Sequence, residues 1–128
     1  MQSFYWFIIF IAANSAFLLL LTVNVSRLRI KHKVAWGDGS NKDLMKAIRV
    51  HANGTEQVPI FALIILSLSF INATSVLLPI LVIAFTLSRL IHAYGMLCKK
   101  SILRQTGAAI TYVSQGAAAL ALLASLNA

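Results

Sequence analysis

Two charge-free runs constrain this chain more than any other feature. Ser3–Ser26 carries no charged residue, and neither does Gln57–Ser88. A helix needs about 20 mostly apolar residues to cross the hydrocarbon core of a bilayer. The first run therefore supplies one span. The second is too long for one helix and too short for two, and its polar break, Asn72-Ala73-Thr74-Ser75, reads as a turn. The two helices it joins must extend into charged sequence on either side, and Gln105–Ala128 gives a fourth. The expected fold is all-α, a single integral membrane four-helix bundle with spans over 3–27, 43–71, 76–98 and 105–127. Composition agrees: only 11% of residues are charged and mean hydropathy is +0.84, against about 25% charged in soluble domains.

The N-terminal run lacks a basic leader and is far longer than a signal-peptide core, so it is expected to remain as the first span. In the sizeable loop KHKVAWGDGSNKD, Gly37-Asp38-Gly39 marks a turn, and Ser40 with Asp43 reads as a capping box opening the second helix. Ala117, Ala121 and Ser125, at four-residue spacing in the fourth helix, form a small-residue stripe that lets helices approach closely. Asn72-Ala73-Thr74 matches a glycosylation sequon, but in so tight a turn it is treated as chance.

A net charge of +8 invites a nucleic-acid reading, but its distribution argues otherwise. Arg27, Arg29, Lys31, Lys33, Lys42 and Lys46 cluster around the first loop, and Lys99, Lys100 and Arg104 around the third connection. Basic residues at span ends set topology and meet lipid headgroups. The positive-inside rule then puts both loops in the cytoplasm and both termini on the other side. The single cysteine, Cys98, excludes an intrachain disulfide and a cysteine metal cage.

Ionisable groups within a span normally face a bundle interior and mark function. The second helix carries Arg49, His51, Asn53 and Glu56, and the third carries Arg89 and His92. At about 100° per residue, Arg49, Asn53 and Glu56 fall within an arc of roughly 60°, with His51 nearly opposite. Glu56 lies as far beyond Lys46 as Arg89 lies before Lys99, roughly 15 Å of helix in each case. Glu56 and Arg89 are therefore expected to pair or to share a ligand. Three arginines (Arg49, Arg89 and Arg104) against one intramembrane acid leave excess positive charge, which suits an anionic ligand entering from the cytoplasm and an apolar co-substrate arriving through the bilayer. His51, His92 and Glu56 lack metal-ligand spacing, so no metal is expected. No acid is placed to orient either intramembrane histidine for triad chemistry.

RVHANGTEQVPIF resembles the second-helix signature of the MAPEG family, the membrane-associated proteins in eicosanoid and glutathione metabolism, through Arg49, Asn53, Glu56 and Pro59. The likeness extends to VSRLRIKHK, to SRLIHAYG and to a basic residue opening the fourth helix. The loop VAWGDGS is most similar to the family's bacterial branch, implying an inner-membrane location. The resemblance implies a homotrimer binding glutathione between subunits, with no protein nucleophile. It would give Arg27 the tripeptide carboxylate, Asn53 and Glu56 its backbone and amino group, and His92 a further polar contact from the adjoining subunit. Arg104 would stand at the sulfur as the catalytic group, Tyr112 nearby, and Arg49 and Arg89 would be supporting charges. The implied activity is a glutathione transferase, with possible peroxidase activity, acting on lipophilic electrophiles in detoxification. Two positions depart from the pattern. Met96 stands where enzymatic members carry tyrosine, and Tyr112 lies about one turn further from Arg104 than expected. The alternative is a non-catalytic lipid- or ligand-binding scaffold on the same fold. A small multidrug transporter also has four helices and a membrane glutamate, but arginine excess disfavours cation binding.

Overall fold

A computed structural model describes residues 2–73 and 76–128. Its elements are α1 (Gln2–His32), α2 (Lys42–Phe70), α3 (Leu77–Leu97) and α4 (Ser101–Ala124), with a 3-10 turn over Ser125–Asn127. All four helices are long and apolar enough to cross a membrane. Thr74 and Ser75, in the expected turn and the sequon, lie outside the described residues.

The helices pack as two hairpins, α1 on α2 and α3 on α4, joined where α2 meets α3 and also where α1 meets α3 and α2 meets α4. A membrane helix is apolar all round, so hydrophobicity alone does not choose its buried face. In α1 the buried seam is Phe10, Asn14, Leu21 and Leu28. Its four- and seven-residue steps follow the narrow period of a helix–helix seam. Away from the basic end, Phe61 and Phe85 stack with ring centroids 4.0 Å apart. Phe10 closes on them at 5.3 and 5.6 Å. This aromatic floor, continued by Ile65, Leu68, Leu78, Leu81 and Val82, fixes α2 against α3 beneath the polar half of the bundle.

Tight backbone approach sets the α3–α4 register. A Cβ on Gly95 would run into the backbone of Arg104, and one on Gly107 into the backbone of His92. Ser88 and Thr111 continue the same antiparallel register, their hydroxyls 2.8 Å apart. Gly107, Thr111, Ser114 and Ala118 thus form the buried face of α4. The expected stripe at Ala117, Ala121 and Ser125 is not the centre of that face: Ala117 is exposed, Ala121 packs against the edge of the core and Ser125 is half-buried.

Two helix ends also differ from expectation. α1 runs past Arg27 to His32. α2 opens on Asn41, not on a Ser40–Asp43 box: the Asn41 side-chain oxygen accepts from the Leu44 N–H at 2.9 Å. An N-cap needs extended backbone, which Asn41 has (φ −88, ψ 118), whereas Ser40 sits at φ +58. Asp43 instead pairs with Lys46 at 3.1 Å.

One polar group within α1 was not anticipated. The Asn14 amide nitrogen, in a side chain only 1% exposed, donates to the Phe10 carbonyl (3.0 Å) and to Thr86 of α3 (3.1 Å). Its Oδ1 has no partner among the described residues. Interhelical hydrogen bonds in membranes average about 0.6 kcal/mol. Asn14→Leu, of similar size and without the orphaned oxygen, should therefore change stability by no more than about 1 kcal/mol. Unfolding in mixed micelles by a denaturing detergent measures it. A much larger loss would mean that this bond determines how α1 docks.

Candidate functional site

The polar half of the bundle is organised by one buried guanidinium. Arg89 is 2% exposed. Its Nη1 donates to Thr111 Oγ1 at 3.2 Å. Its Nη2 donates to Asn53 Oδ1 and, at 3.1 Å, to His92 Nδ1. These partners come from α2, α3 and α4, so a single side chain ties three helices together. All of them are neutral, and Nε makes no bond among the described residues.

The expected Glu56–Arg89 ion pair does not form within the chain. Among the described residues the ion pair is Lys46–Asp43, and Glu56 is exposed on the outer surface of α2. The reason is geometric. Asn53 and Glu56 share a broad arc, but α3 crosses α2 on the Asn53 side, and the shorter amide reaches Arg89 first.

This choice sets the hydrogen-bond polarity of the site. A guanidinium has five donors and no acceptor. Asn53 must therefore present its oxygen to Arg89, which turns its NH₂ elsewhere. His92 must present a lone pair at Nδ1, which leaves Nε2 as the N–H of a neutral ring. Beside this pair lies a cleft of about 210 Å³ lined by Arg49, Asn53, His92, Met96, Arg104, Gln105, Ala108 and Tyr112. It contains two arginines and no carboxylate. Its polar groups are overwhelmingly donors, so its chemical complement is a ligand rich in acceptors, an anion above all.

Five of the residues singled out in the sequence thus meet in one cleft: Arg49, Asn53, His92, Arg104 and Tyr112. Arg89 stands behind it. Arg27 and Glu56 are not brought to it. Arg27 donates to Asn24 at 2.9 Å and lines a different cleft of about 320 Å³ with Lys31, Asp43 and Lys46. His51 faces away, as its helical angle required, and contacts Thr22 of α1 at 2.9 Å. The Thr22 hydroxyl already donates to the Leu18 carbonyl (2.9 Å), so the His51 Nε2 is the donor. Met96, at the position that departs from the family pattern, lies in the cleft wall, whereas Tyr94 is exposed and stacks under Lys100.

Sequence reasoning missed Thr111 and Gln105, and also the glycines that place them. Gly107 brings α4 against His92, and Gly95 seats the start of α4, and hence Arg104, on α3. The available signal was a glycine in each helix interior, a position that costs helix stability unless close packing requires it.

Comparison with known proteins fits this architecture. The chain matches the MAPEG family over residues 7–124. It is 34% identical over 102 residues to inner membrane protein YecN of Escherichia coli (strain K12), covering 79% of this chain and 78% of that protein. The same figures hold for YecN of Escherichia coli O6:H1. With its four apolar helices in order and the Arg49–Asn53–Glu56–Pro59 signature in α2, the chain belongs to the MAPEG family.

Proposed function

We propose that this protein is an inner-membrane glutathione transferase, with peroxidase-like activity, that couples glutathione to lipophilic electrophiles reaching it through the bilayer. The observation that carries the reading is the donor-lined cleft: Arg49, Arg104, the Asn53 amide and the His92 Nε2–H converge with no carboxylate among them, backed by the buried, unpaired charge of Arg89. A cation left alone in hydrocarbon is costly, so such a site is stabilised by an anionic ligand.

Glutathione fits that donor set through its two carboxylates and its peptide carbonyls. It supplies its own nucleophile, a thiol that reacts as the thiolate. In this reading Asn53 and His92 hold the tripeptide by donating to its carbonyl and carboxylate oxygens. Arg49 adds charge at the cytoplasmic mouth. Arg104 lies over the sulfur and favours its deprotonated form, acting on a thiol pKa that starts near 8.5. Holding thiolate and electrophile together supplies the remaining acceleration.

Glu56 and Arg27 support a homotrimer in the same reading. Glu56 is exposed on the single chain yet lies within a membrane span. A carboxylate facing lipid is unfavourable, and a neighbouring copy would cover it. That neighbour would also bring an Arg27 to the cleft, so that Glu56 takes the glutathione amino group and Arg27 a carboxylate. The basic ends of the helices face the cytoplasm by the positive-inside rule, where glutathione is available.

Titration of the detergent-purified protein with glutathione, followed by ultraviolet thiolate absorbance and calorimetry, tests the reading. Saturation in the millimolar range or below is expected, with Asn53→Ala and Glu56→Ala each weakening binding about tenfold or more, roughly 1.4 kcal/mol. No binding at millimolar glutathione, or binding indifferent to both substitutions, overturns it. A second reading, a ligand-binding scaffold without turnover, is favoured by Met96 in the cleft wall where enzymatic relatives have a tyrosine. It predicts binding with no conjugation of any electrophile or hydroperoxide.

A further inference from the structure

The loop between α1 and α2 is built with more care than a connector needs. The Arg29 guanidinium reaches out of the last turns of α1 and donates to three loop carbonyls, Val34 (3.3 Å), Ala35 (3.5 Å) and Gly37 (2.8 Å). Val34 packs down onto Leu28, Leu44 and Ala47. Its methyl groups sit so close under Gly39 that a Cβ there would strike them. The Ser40 N–H donates to Asp38, and Asn41 caps α2. Lys33, Gly37, Gly39 and Ser40 all take positive φ, so the chain follows one defined path.

That scaffold holds a single large side chain outward. Trp36 is 90% exposed, and Ile30 at the end of α1 is 79% exposed. Indoles gain by leaving water while keeping an N–H partner, and they concentrate where a bilayer meets water. In the sequence flanking Trp36 the exposed cations are Lys31, Lys33 and Lys42. The nearby acids are already engaged, Asp38 by the Ser40 N–H and Asp43 by Lys46.

Position completes the argument. The Phe4–His32 span has 29 residues, a rise of roughly 43 Å, against a hydrocarbon core of about 30 Å. The span is longer than the core, and its basic last turn (Arg29, Lys31 and His32) puts the excess at that end, in the headgroup layer where the loop begins. Basic residues beside an anionic leaflet are attracted to its headgroups within about a Debye length.

We propose that the 33–41 loop is a membrane-seated finger: anionic phospholipid headgroups take the Lys31, Lys33 and Lys42 cations, and Trp36 lies at the boundary between headgroups and acyl chains. The preformed loop loses little conformational freedom on seating, because Arg29 and Val34 already fix it. Its role is to hold the α1–α2 hairpin at a defined depth in the bilayer. The proposal is independent of what binds in the cleft.

Fluorescence of the full-length protein tests it, since the chain has only two tryptophans. Trp6→Phe leaves Trp36 as the sole indole, and Trp36→Phe provides the complementary background if the first variant is poorly folded. The proteins are reconstituted into vesicles of phosphatidylcholine alone or mixed equally with phosphatidylglycerol, with bromine on shallow acyl carbons in a parallel set. The expected result in the mixed vesicles is blue-shifted Trp36 emission, strong quenching by the brominated lipid and loss of most acrylamide quenching. Lys31→Gln/Lys33→Gln/Lys42→Gln should reverse part of the shift. Water-like emission freely quenched by acrylamide would mean a solvated loop. Shielding that is equal in detergent and indifferent to brominated lipid would mean burial against another copy of the chain. Equal seating in phosphatidylcholine alone would remove the anionic headgroup from the account. Any of these three outcomes overturns the proposal.

Discussion

Arg104→Ala should slow glutathione conjugation by roughly a hundred- to a thousandfold, the usual loss when one preorganised charge-stabilising donor is removed, about 3–4 kcal/mol. Arg104 is exposed at the start of α4 and lines the cleft without holding any other side chain. Its removal should therefore leave the helix packing intact and act on the bound thiol alone. The readout that separates this role from a structural one is the pH profile. Without the guanidinium the thiol returns toward its ordinary range near 8.5, so thiolate absorbance at neutral pH falls and activity recovers as pH is raised. Arg104→Lys should fall between the two, keeping the charge but losing the planar fork. Unchanged thiolate absorbance in Arg104→Ala would remove the arginine from the sulfur, even if turnover dropped.

Gly107→Val should destabilise the polar half of the bundle severely. A Cβ at residue 107 would meet the nitrogen, Cα and Cβ of His92. Overpacking costs typically about 1–3 kcal/mol when side chains can shift aside. Here the atoms struck include backbone of a neighbouring helix, so the upper end or beyond is expected, with α3 and α4 forced apart. Spreading them also pulls Thr111 from Arg89 and displaces His92, so glutathione binding should weaken about tenfold or more, at least 1.4 kcal/mol, in whatever fraction still folds. Gly116→Ala is the internal control. Nothing lies within 4 Å of its added carbon, and helix propensity should make it neutral or stabilising by up to about 1 kcal/mol. Unfolding by denaturing detergent, followed by circular dichroism, ranks the two variants. Equal stability would show that the α3–α4 crossing tolerates separation.

The residues of the cleft were largely readable in the sequence because the membrane makes polar groups conspicuous. Arg49, Asn53, Arg89 and His92 stand out in apolar spans, and helical angles correctly separated His51 from them. The identity of the partners was not readable. Glu56 and Arg89 match in depth and opposite charge, yet Arg89 bonds to Asn53, because depth along a helix says nothing about which edge of the facing helix is nearest. The buried face of α4 was unreadable for a related reason. Several faces of α4 are rich in alanine and glycine, and only the crossing at Gly95 and Gly107 selects Gly107, Thr111, Ser114 and Ala118 as the buried one.

By itself the sequence determined that the chain is a four-helix membrane protein with a basic end, and which helices carry ionisable groups. Those properties follow from transfer free energies and from a period of about 3.6 residues per turn, both of which act locally along the chain. Only the tertiary structure decided how the polar groups face one another. A buried guanidinium that can only donate fixes the orientation of the Asn53 amide and the tautomer of His92, and so turns the cleft into a surface of donors. That outcome depends on helix rotations set by close backbone contacts, and local sequence periodicity does not encode them.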